Sequence, residues 1–227
     1  MKTLIAIPAM DMVHTSFMRS LVGMRIVGDV DYLIPQSTLI YDARCNIANR
    51  AVQEGFDRVL WLDSDMVFEP DLMERLSARL DEGHEFVSGV YYTRKKPSVP
   101  VILSRCRIDR SLGVPIPDTK RCEEIPEELF EIEGCGFGCV MMTTKLLEDV
   151  MNEFGLFPFY PQVGFGEDLA FCLRVRELGR KIMCDGTIRC RHTGFYEYSE
   201  KDMEAKNDSE IFEDARHQNE RNGRKRP

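Results

Sequence analysis

The sequence predicts an α/β protein with a mostly parallel, Rossmann-like central sheet and helices on both faces. Strand and helix patterns alternate over the first hundred residues, as parallel sheets with crossover helices require. The first strand pattern, residues 3–9, is continuously apolar, which is typical of a strand covered on both sides. With 43% hydrophobic residues, the chain can form a substantial core.

Apolar periodicity places the elements in order along the chain. We expect Asp42 to cap the second helix and Gly55 to end it. Pro70 fits the first turn of the third helix. Residues 94–128 contain five prolines and predict a hairpin with an exposed loop rather than a domain linker. The predicted strands are 3–9, 30–34, 58–62, 85–92, 99–104, a glycine turn running into a strand at 134–144, and 181–184; the predicted helices are 12–24, 42–54, 69–81, 144–154 and 167–178.

Length and charge limit the classes of function. The 227 residues fit a single domain, predicted at 1–198, followed by a charged C-terminal helix or tail at 199–227 that could join two copies as a homo-oligomer. A net charge of −8 argues against binding nucleic acid or anionic membrane through charge alone. No apolar run approaches the roughly 20 residues that span a bilayer, and the opening segment is too short for a signal peptide, so we expect a cytoplasmic protein.

The cysteine spacing favours buried, reduced thiols. None of the eight cysteines forms a pair with the two-residue gap of a zinc knuckle or a redox motif. The alternative is a zinc site built from Cys135, Cys139 and either Cys184 or Cys190.

The Asp-Ser-Asp sequence at residues 63–65 is the sharpest chemical feature. It directly follows an apolar strand, and ligands of open α/β sheets bind at the carboxyl ends of strands. Two carboxylates at such a point repel each other unless a cation neutralises them, and oxygen ligands suit Mg²⁺ or Mn²⁺ shared with a diphosphate. The alternative is that Asp63 and Asp65 only cap the following turn.

Two later segments carry further candidate groups. Glu167 and Asp168 open a helix, where they either complement the helix dipole or provide a carboxylate that takes a proton from an acceptor hydroxyl. His192 follows a short strand and is either structural or completes the coordination of a metal held by Asp65. Tyr92, Arg94 and Lys95 could contact phosphates, although a solvated turn is the preferred interpretation.

The order of these motifs along the chain resembles the GT-A glycosyltransferases, especially the small bacterial and phage members near family 2 and the Anp1-like group. The order is an apolar strand, Arg44 and Asn46 on a helix, Asp-Ser-Asp, a glycine turn, the phrase Gly-Glu-Asp-Leu-Ala-Phe-Cys-Leu-Arg-Val-Arg-Glu-Leu-Gly, and then His192. The resemblance covers about residues 1–195. Family members often carry Arg-Asn directly, whereas Cys45 intervenes here, so no role is assigned to Asn46.

The resemblance implies a metal-dependent transfer of sugar from a nucleotide-sugar, with UDP the commonest nucleotide, to a hydroxyl acceptor that the sequence does not identify; a nucleic-acid acceptor stays open. It implies Mn²⁺ or Mg²⁺ as cofactor, held by Asp65, Asp63 and His192. Asp168, paired with Glu167, would be the general base of an inverting enzyme. The donor would be bound by Pro8, Ala9, Arg44, Asp63 and Ser64.

Two other functions remain open. A sugar nucleotidyltransferase would also be a metal-dependent α/β enzyme, but it needs a glycine-rich phosphate loop after the first strand, and the first glycine here is Gly23. A non-catalytic binding module with this fold is the other, and the presence of Asp63, Asp65, Asp168 and His192 argues against it.

Overall fold

The computed structural model describes residues 1–10, 12–36, 39–194 and 197–200. Within these ranges the helices are α1 (Thr15–Gly23), α2 (Ile40–Gln53), α3 (Leu72–Asp81), α4 (Thr144–Phe154) and α5 (Glu167–Glu177). The strands are β1 (Lys2–Ala6), β2 (Asp29–Leu33), β3 (Arg58–Leu62), β4 (Met66–Val67), β5 (Phe86–Val90), β6 (Ile102–Asp109), β7 (Ile116–Arg121), β8 (Leu129–Ile132), β9 (Gly134–Cys135), β10 (Cys139–Thr143), β11 (Ile182–Arg189), β12 (Arg191–Thr193) and β13 (Glu197–Tyr198). No helix in these ranges is long and apolar enough to cross a membrane.

A seven-stranded sheet in the order β2-β1-β3-β10-β5-β11-β8 forms the centre of the molecule. Strands β2, β1, β3, β5 and β11 run in one direction, while β10 and β8 run in the other. Because the five parallel strands end at the same edge, the loops that follow them meet there. The prediction of a mostly parallel α/β sheet is confirmed.

Alternating side chains of the sheet build a separate core on each face. Trp61 of β3 packs among α2, α4 and α5 on one face, together with Ala48, Leu147 and Phe171. Leu60, the preceding residue, packs on the other face with residues of α1 and α3. A strand that is covered on both faces needs apolar side chains at successive positions, and β1 and β3 have them.

Two small sheets extend the central one. Strands β7, β6 and β9 form the first, which includes the hairpin predicted within residues 94–128. Strands β13, β12 and β4 form the second, in which His192 lies opposite Met66. The second sheet matters for the site because it fixes residues 191–193 beside the loop that follows β3.

Most predicted elements are found, with corrections at their ends. The bounds of β3 and α4 agree with the prediction, and Gly55 follows the end of α2 with a positive φ of 67°. Asp42 is not the N-cap of α2: Leu39 takes that position, and Asp42 lies in the first turn, where its charge favours the helix dipole. Pro70 precedes α3 rather than lying in its first turn, since Asp71 is the N-cap.

Residues 201–227, which hold most of the predicted charged extension and its possible subunit contact, lie outside the described residues.

All eight cysteines are buried, and none forms a disulfide bond. Cys172 contacts Cys135, and Cys190 contacts Cys139, so these thiols form two separate pairs. In the part of the chain that the structure describes, no three cysteine, histidine or carboxylate side chains are grouped so as to hold a metal ion. The alternative of a zinc site at Cys135, Cys139 and Cys184 or Cys190 is therefore not formed in this arrangement.

Candidate active site

An open cleft of about 380 Å³ lies at the edge where the parallel strands end. It collects residues that follow β1, β3, β5 and β11 with residues from the starts of α2 and α5. Eight of the nine predicted site residues line it: Pro8, Ala9, Arg44, Asp63, Ser64, Asp65, Glu167 and His192. The ninth, Asp168, is the next residue to Glu167 on α5. Arg94 also lines the cleft, whereas the sequence favours a solvated turn at this position.

Asp65 and His192 meet in this cleft. The Nε2 atom of His192 lies 3.3 Å from Oδ2 of Asp65. The other ring nitrogen, Nδ1, lies 2.9 Å from the carbonyl oxygen of Tyr92, and it must donate there because a carbonyl can only accept. Nε2 is therefore the ring nitrogen that faces the carboxylate and is able to ligate a cation.

Backbone pairing holds this contact in place. Strand β12 pairs with β4, and the Thr193 N–H donates to the carbonyl oxygen of Asp65 at 2.7 Å. The ring of Tyr91 packs edge-on against the His192 ring, with 5.4 Å between centroids. Burial acts to raise the pKa of Asp65, but the contact with His192 and the charge of Arg94 hold this pKa below its ordinary value.

Arg44 joins two carboxylates beneath the cleft. Its side chain is only 3% exposed; Nη2 donates to Asp63 at 2.8 Å, and Nε donates to Glu167 at 3.4 Å. Burial acts to lower the pKa of Arg44, but Asp63 and Glu167 outweigh it and keep this pKa above its ordinary value. The third guanidinium nitrogen, Nη1, is buried without a hydrogen-bond partner in the protein. Arg44 thus ties the loop after β3 to the start of α5.

Asp168 differs from its neighbour Glu167 in its surroundings. Burial, and then the negative charge of Glu167, raise the pKa of Asp168 to about 6. Its Oδ1 accepts a hydrogen bond from the N–H of Leu169 at 2.7 Å. A carboxyl group whose pKa lies near neutrality is suited to exchanging protons with a substrate.

Buried polar contacts hold the segment that leads into Asp168. Arg174 donates from Nη1 to the carbonyl oxygen of Pro158 at 2.8 Å and from Nη2 to that of Tyr160 at 2.9 Å. Phe159, between them, is fully buried and stacks on Phe171 of α5 with 4.4 Å between centroids. These contacts anchor residues 158–160 to the buried face of α5.

The predicted glycine turn supports Tyr91, a residue that sequence reasoning missed. The Tyr91 hydroxyl accepts a hydrogen bond from the N–H of Gly138 at 3.2 Å, and a Cβ atom on Gly136 would collide with that hydroxyl. Burial raises the pKa of Tyr91 well above its ordinary value, and the charges of Asp63 and Asp168 add to this effect. The neutral phenol therefore lies near the carboxylates of Asp63 and Asp168, and its ring packs against that of His192. In the sequence, the only signal that a side chain packs so closely on this turn is the presence of three glycines within residues 134–138.

The other residues considered from the sequence fall outside the centre of the site. Asn46 is exposed on α2, while Cys45 takes the buried position beside Arg44. The hydroxyl of Tyr92 accepts a hydrogen bond from Arg189 at 3.1 Å, and Lys95 is exposed. Neither residue is part of the cleft lining.

The residues present fit a divalent cation at Asp65 and His192. The Oδ1 atom of Asp65 is buried without a hydrogen-bond partner in the protein, so it is an acceptor that lacks a donor. A carboxylate and an imidazole whose second nitrogen is bonded to a carbonyl are common ligands of such ions. Asp63 is directed at Arg44, and the described residues contain no group of three ligands, so the protein contributes a pair at this point.

No protein-family model matches the sequence. No curated protein matches it either. Solved structures do resemble it. A197 from STIV superposes with a TM-score of 0.63 over 86% of each chain at 20% sequence identity. GalNAc-T7, a GT-A glycosyltransferase solved with UDP, GalNAc and Mn²⁺, gives a TM-score of 0.57 at 11% identity, over 84% of this chain and 43% of that one. The chain therefore has an α/β fold of the GT-A type.

Proposed function

We propose that this protein is a metal-dependent glycosyltransferase that moves a sugar from a nucleotide-diphosphate sugar, in particular a UDP-sugar, to an acceptor hydroxyl. One observation carries the proposal: Asp65 with His192, and Arg44 with Asp63 and Glu167, line one cleft at the carboxyl edge of the sheet, and Asp168 is the next residue to Glu167. The GT-A fold, together with the UDP and Mn²⁺ in the GalNAc-T7 structure, supports it.

In this proposal Asp65 and His192 hold Mn²⁺ or Mg²⁺, and Asp63 would join them as a further carboxylate ligand only by leaving Arg44. A cation held there would neutralise the diphosphate that leaves the donor sugar. The hydrogen bond from Nδ1 of His192 to the carbonyl oxygen of Tyr92 orients the ring so that the other nitrogen, Nε2, is the one that ligates. Pro8, Ala9, Ser64 and Arg44 bind the donor along the remaining cleft wall.

Asp168 acts as the general base. Its raised pKa of about 6 leaves it ionised at neutral pH while keeping it basic enough to take the proton of an acceptor hydroxyl. Glu167, which Arg44 contacts, places a negative charge beside Asp168 and so raises the basicity of Asp168. A base that activates the acceptor directly implies inversion at the anomeric carbon.

The test is a panel of UDP-sugars and other nucleotide-sugars incubated with the protein and Mn²⁺, with release of the free nucleoside diphosphate as the readout. We expect slow hydrolysis of one donor, and loss of that activity with EDTA. Turnover that depends on pyrophosphate would instead indicate a sugar nucleotidyltransferase. If no donor in the panel is turned over and none shifts the thermal unfolding of the protein, the proposal is contradicted and a non-catalytic module is favoured.

A further inference from the structure

Arg94 lies on the carboxylate that would ligate the cation. Its Nη1 atom is 2.7 Å from Oδ2 of Asp65, the same oxygen that faces Nε2 of His192. The other oxygen of Asp65 is buried without a partner in the protein. One oxygen of Asp65 is thus shared by two basic groups while the second has none, which is an unbalanced arrangement for a buried carboxylate.

The turn that carries Arg94 is fixed at its base and exposed at its tip. The Thr93 N–H donates to the carbonyl oxygen of Val99 at 2.9 Å, and the Val99 N–H donates to the Thr93 hydroxyl at 3.2 Å. The Ser98 hydroxyl donates to the carbonyl oxygen of Thr93 at 2.7 Å. The side chain of Arg94, in contrast, is 50% exposed, so the guanidinium can leave Asp65 without any movement of the turn's base.

We propose that Arg94 is a resident counter-cation of Asp65 that gives up this carboxylate when a divalent cation binds and then binds the diphosphate of the donor. The inference rests on the proposed function, because it assigns a donor-binding residue to the same site. It concerns the diphosphate alone and is independent of the sugar and the acceptor.

Charge balance supports an exchange rather than simultaneous occupancy. The carboxylates of Asp63, Glu167 and Asp168 are close enough to Arg44 to affect its pKa, whereas Asp65 is shielded by Arg94 and His192. A guanidinium and a divalent cation on one carboxylate repel each other, which favours release of Arg94 when Asp65 ligates the ion. The diphosphate brings new negative charge into the cleft, and a planar guanidinium with several donors suits phosphate oxygens.

The experiment measures two affinities of the full-length protein by titration calorimetry: Mn²⁺ alone, and UDP at saturating Mn²⁺. We expect Arg94→Gln to bind Mn²⁺ alone several-fold more tightly than the wild type and to bind UDP about tenfold more weakly, a loss of the size expected for one charged hydrogen bond. Arg94→Lys keeps the positive charge but loses the planar guanidinium with its several N–H donors. The UDP affinity of this variant should therefore lie between those of the wild type and Arg94→Gln. Arg110→Gln removes the same charge from an exposed position outside the cleft and should change neither affinity.

The two affinities must move in opposite directions. A lower or unchanged Mn²⁺ affinity in Arg94→Gln would overturn the role as counter-cation, and an unchanged UDP affinity would overturn the role in diphosphate binding. A wild-type protein that binds neither Mn²⁺ nor UDP would overturn the proposed function itself and this inference with it. Wild-type binding that Arg94→Gln leaves unaltered would overturn only this inference. Since Arg94 is half exposed, thermal unfolding of the variant should match the wild type and exclude misfolding as the cause.

Discussion

The Nε2 atom of His192 lies 3.3 Å from Oδ2 of Asp65, although the two residues are far apart in the sequence. The pairing of β12 with β4 brings them together, and the bond from Nδ1 to the carbonyl of Tyr92 selects which nitrogen faces the carboxylate. Two residue types that are ambiguous when read separately thus become one potential metal-binding pair.

Asp65→Ala and His192→Ala should each weaken Mn²⁺-dependent UDP binding by at least about tenfold, because the loss of even an outer-shell partner costs a metal site about that much. Calorimetric titration of UDP with Mn²⁺ and with EDTA measures the effect. Glu69→Ala removes an exposed carboxylate that follows the same loop and serves as the control. Unchanged metal-dependent affinity in both cleft variants would refute the assignment of this pair.

Asp168→Asn should reduce the rate of sugar transfer by about 10²–10⁴-fold, the usual contribution of a general base. The amide has nearly the same shape as the carboxylate but cannot accept the proton, so the affinity for the nucleotide-sugar should stay within about twofold. Single-turnover kinetics and donor titration separate these two quantities. Glu177→Gln, an exposed position on the same helix, is the matched control. A fully active Asp168→Asn protein would exclude Asp168 as the base.

The pH dependence of kcat/KM should show an acid limb near pH 6. Asp168 works as a base only when it is ionised, and burial raises its pKa to about 6, so the rate should fall as the pH drops below that value. Glu167→Gln removes the negative charge that contributes to the shift, and therefore the limb should move to lower pH. Because burial is the larger cause, the limb should not reach the pH typical of an exposed aspartate. A shift to higher pH in Glu167→Gln would contradict this account.

The sequence predicted the fold better than the contacts within the site. The buried strand β3 is a continuous apolar run and α4 shows clear apolar periodicity, and both were located with their bounds. Strands β4 and β12 have two and three residues, which is too few for any periodic pattern, so the sheet that brings His192 to Asp65 had no sequence signal. The ion pair between Arg94 and Asp65 depends on how two loops meet, a tertiary relationship that neither local sequence contains.

The glycine turn should tolerate no side chain at Gly136. A Cβ atom there would collide with the Tyr91 hydroxyl and lie 2.9 Å from Cγ1 of Val101. Gly136→Ala should therefore lower the free energy of unfolding by roughly 1–3 kcal/mol, the usual cost of overpacking. Gly23→Ala is the control: nothing lies within 4 Å of that Cβ position, and replacing a helical glycine should be neutral or slightly stabilising.

Denaturant unfolding of Gly136→Ala, Tyr91→Phe and the double variant tests the cause of this loss. Tyr91→Phe removes the hydroxyl that the new methyl group would strike, although it also removes the acceptor for the Gly138 N–H. The double variant should therefore be less destabilised than the sum of the single changes, with a coupling of about 0.5 kcal/mol or more. Additive effects would mean that the backbone shifts to accept the methyl group, in which case the glycines would not be what holds Tyr91 against the His192 ring.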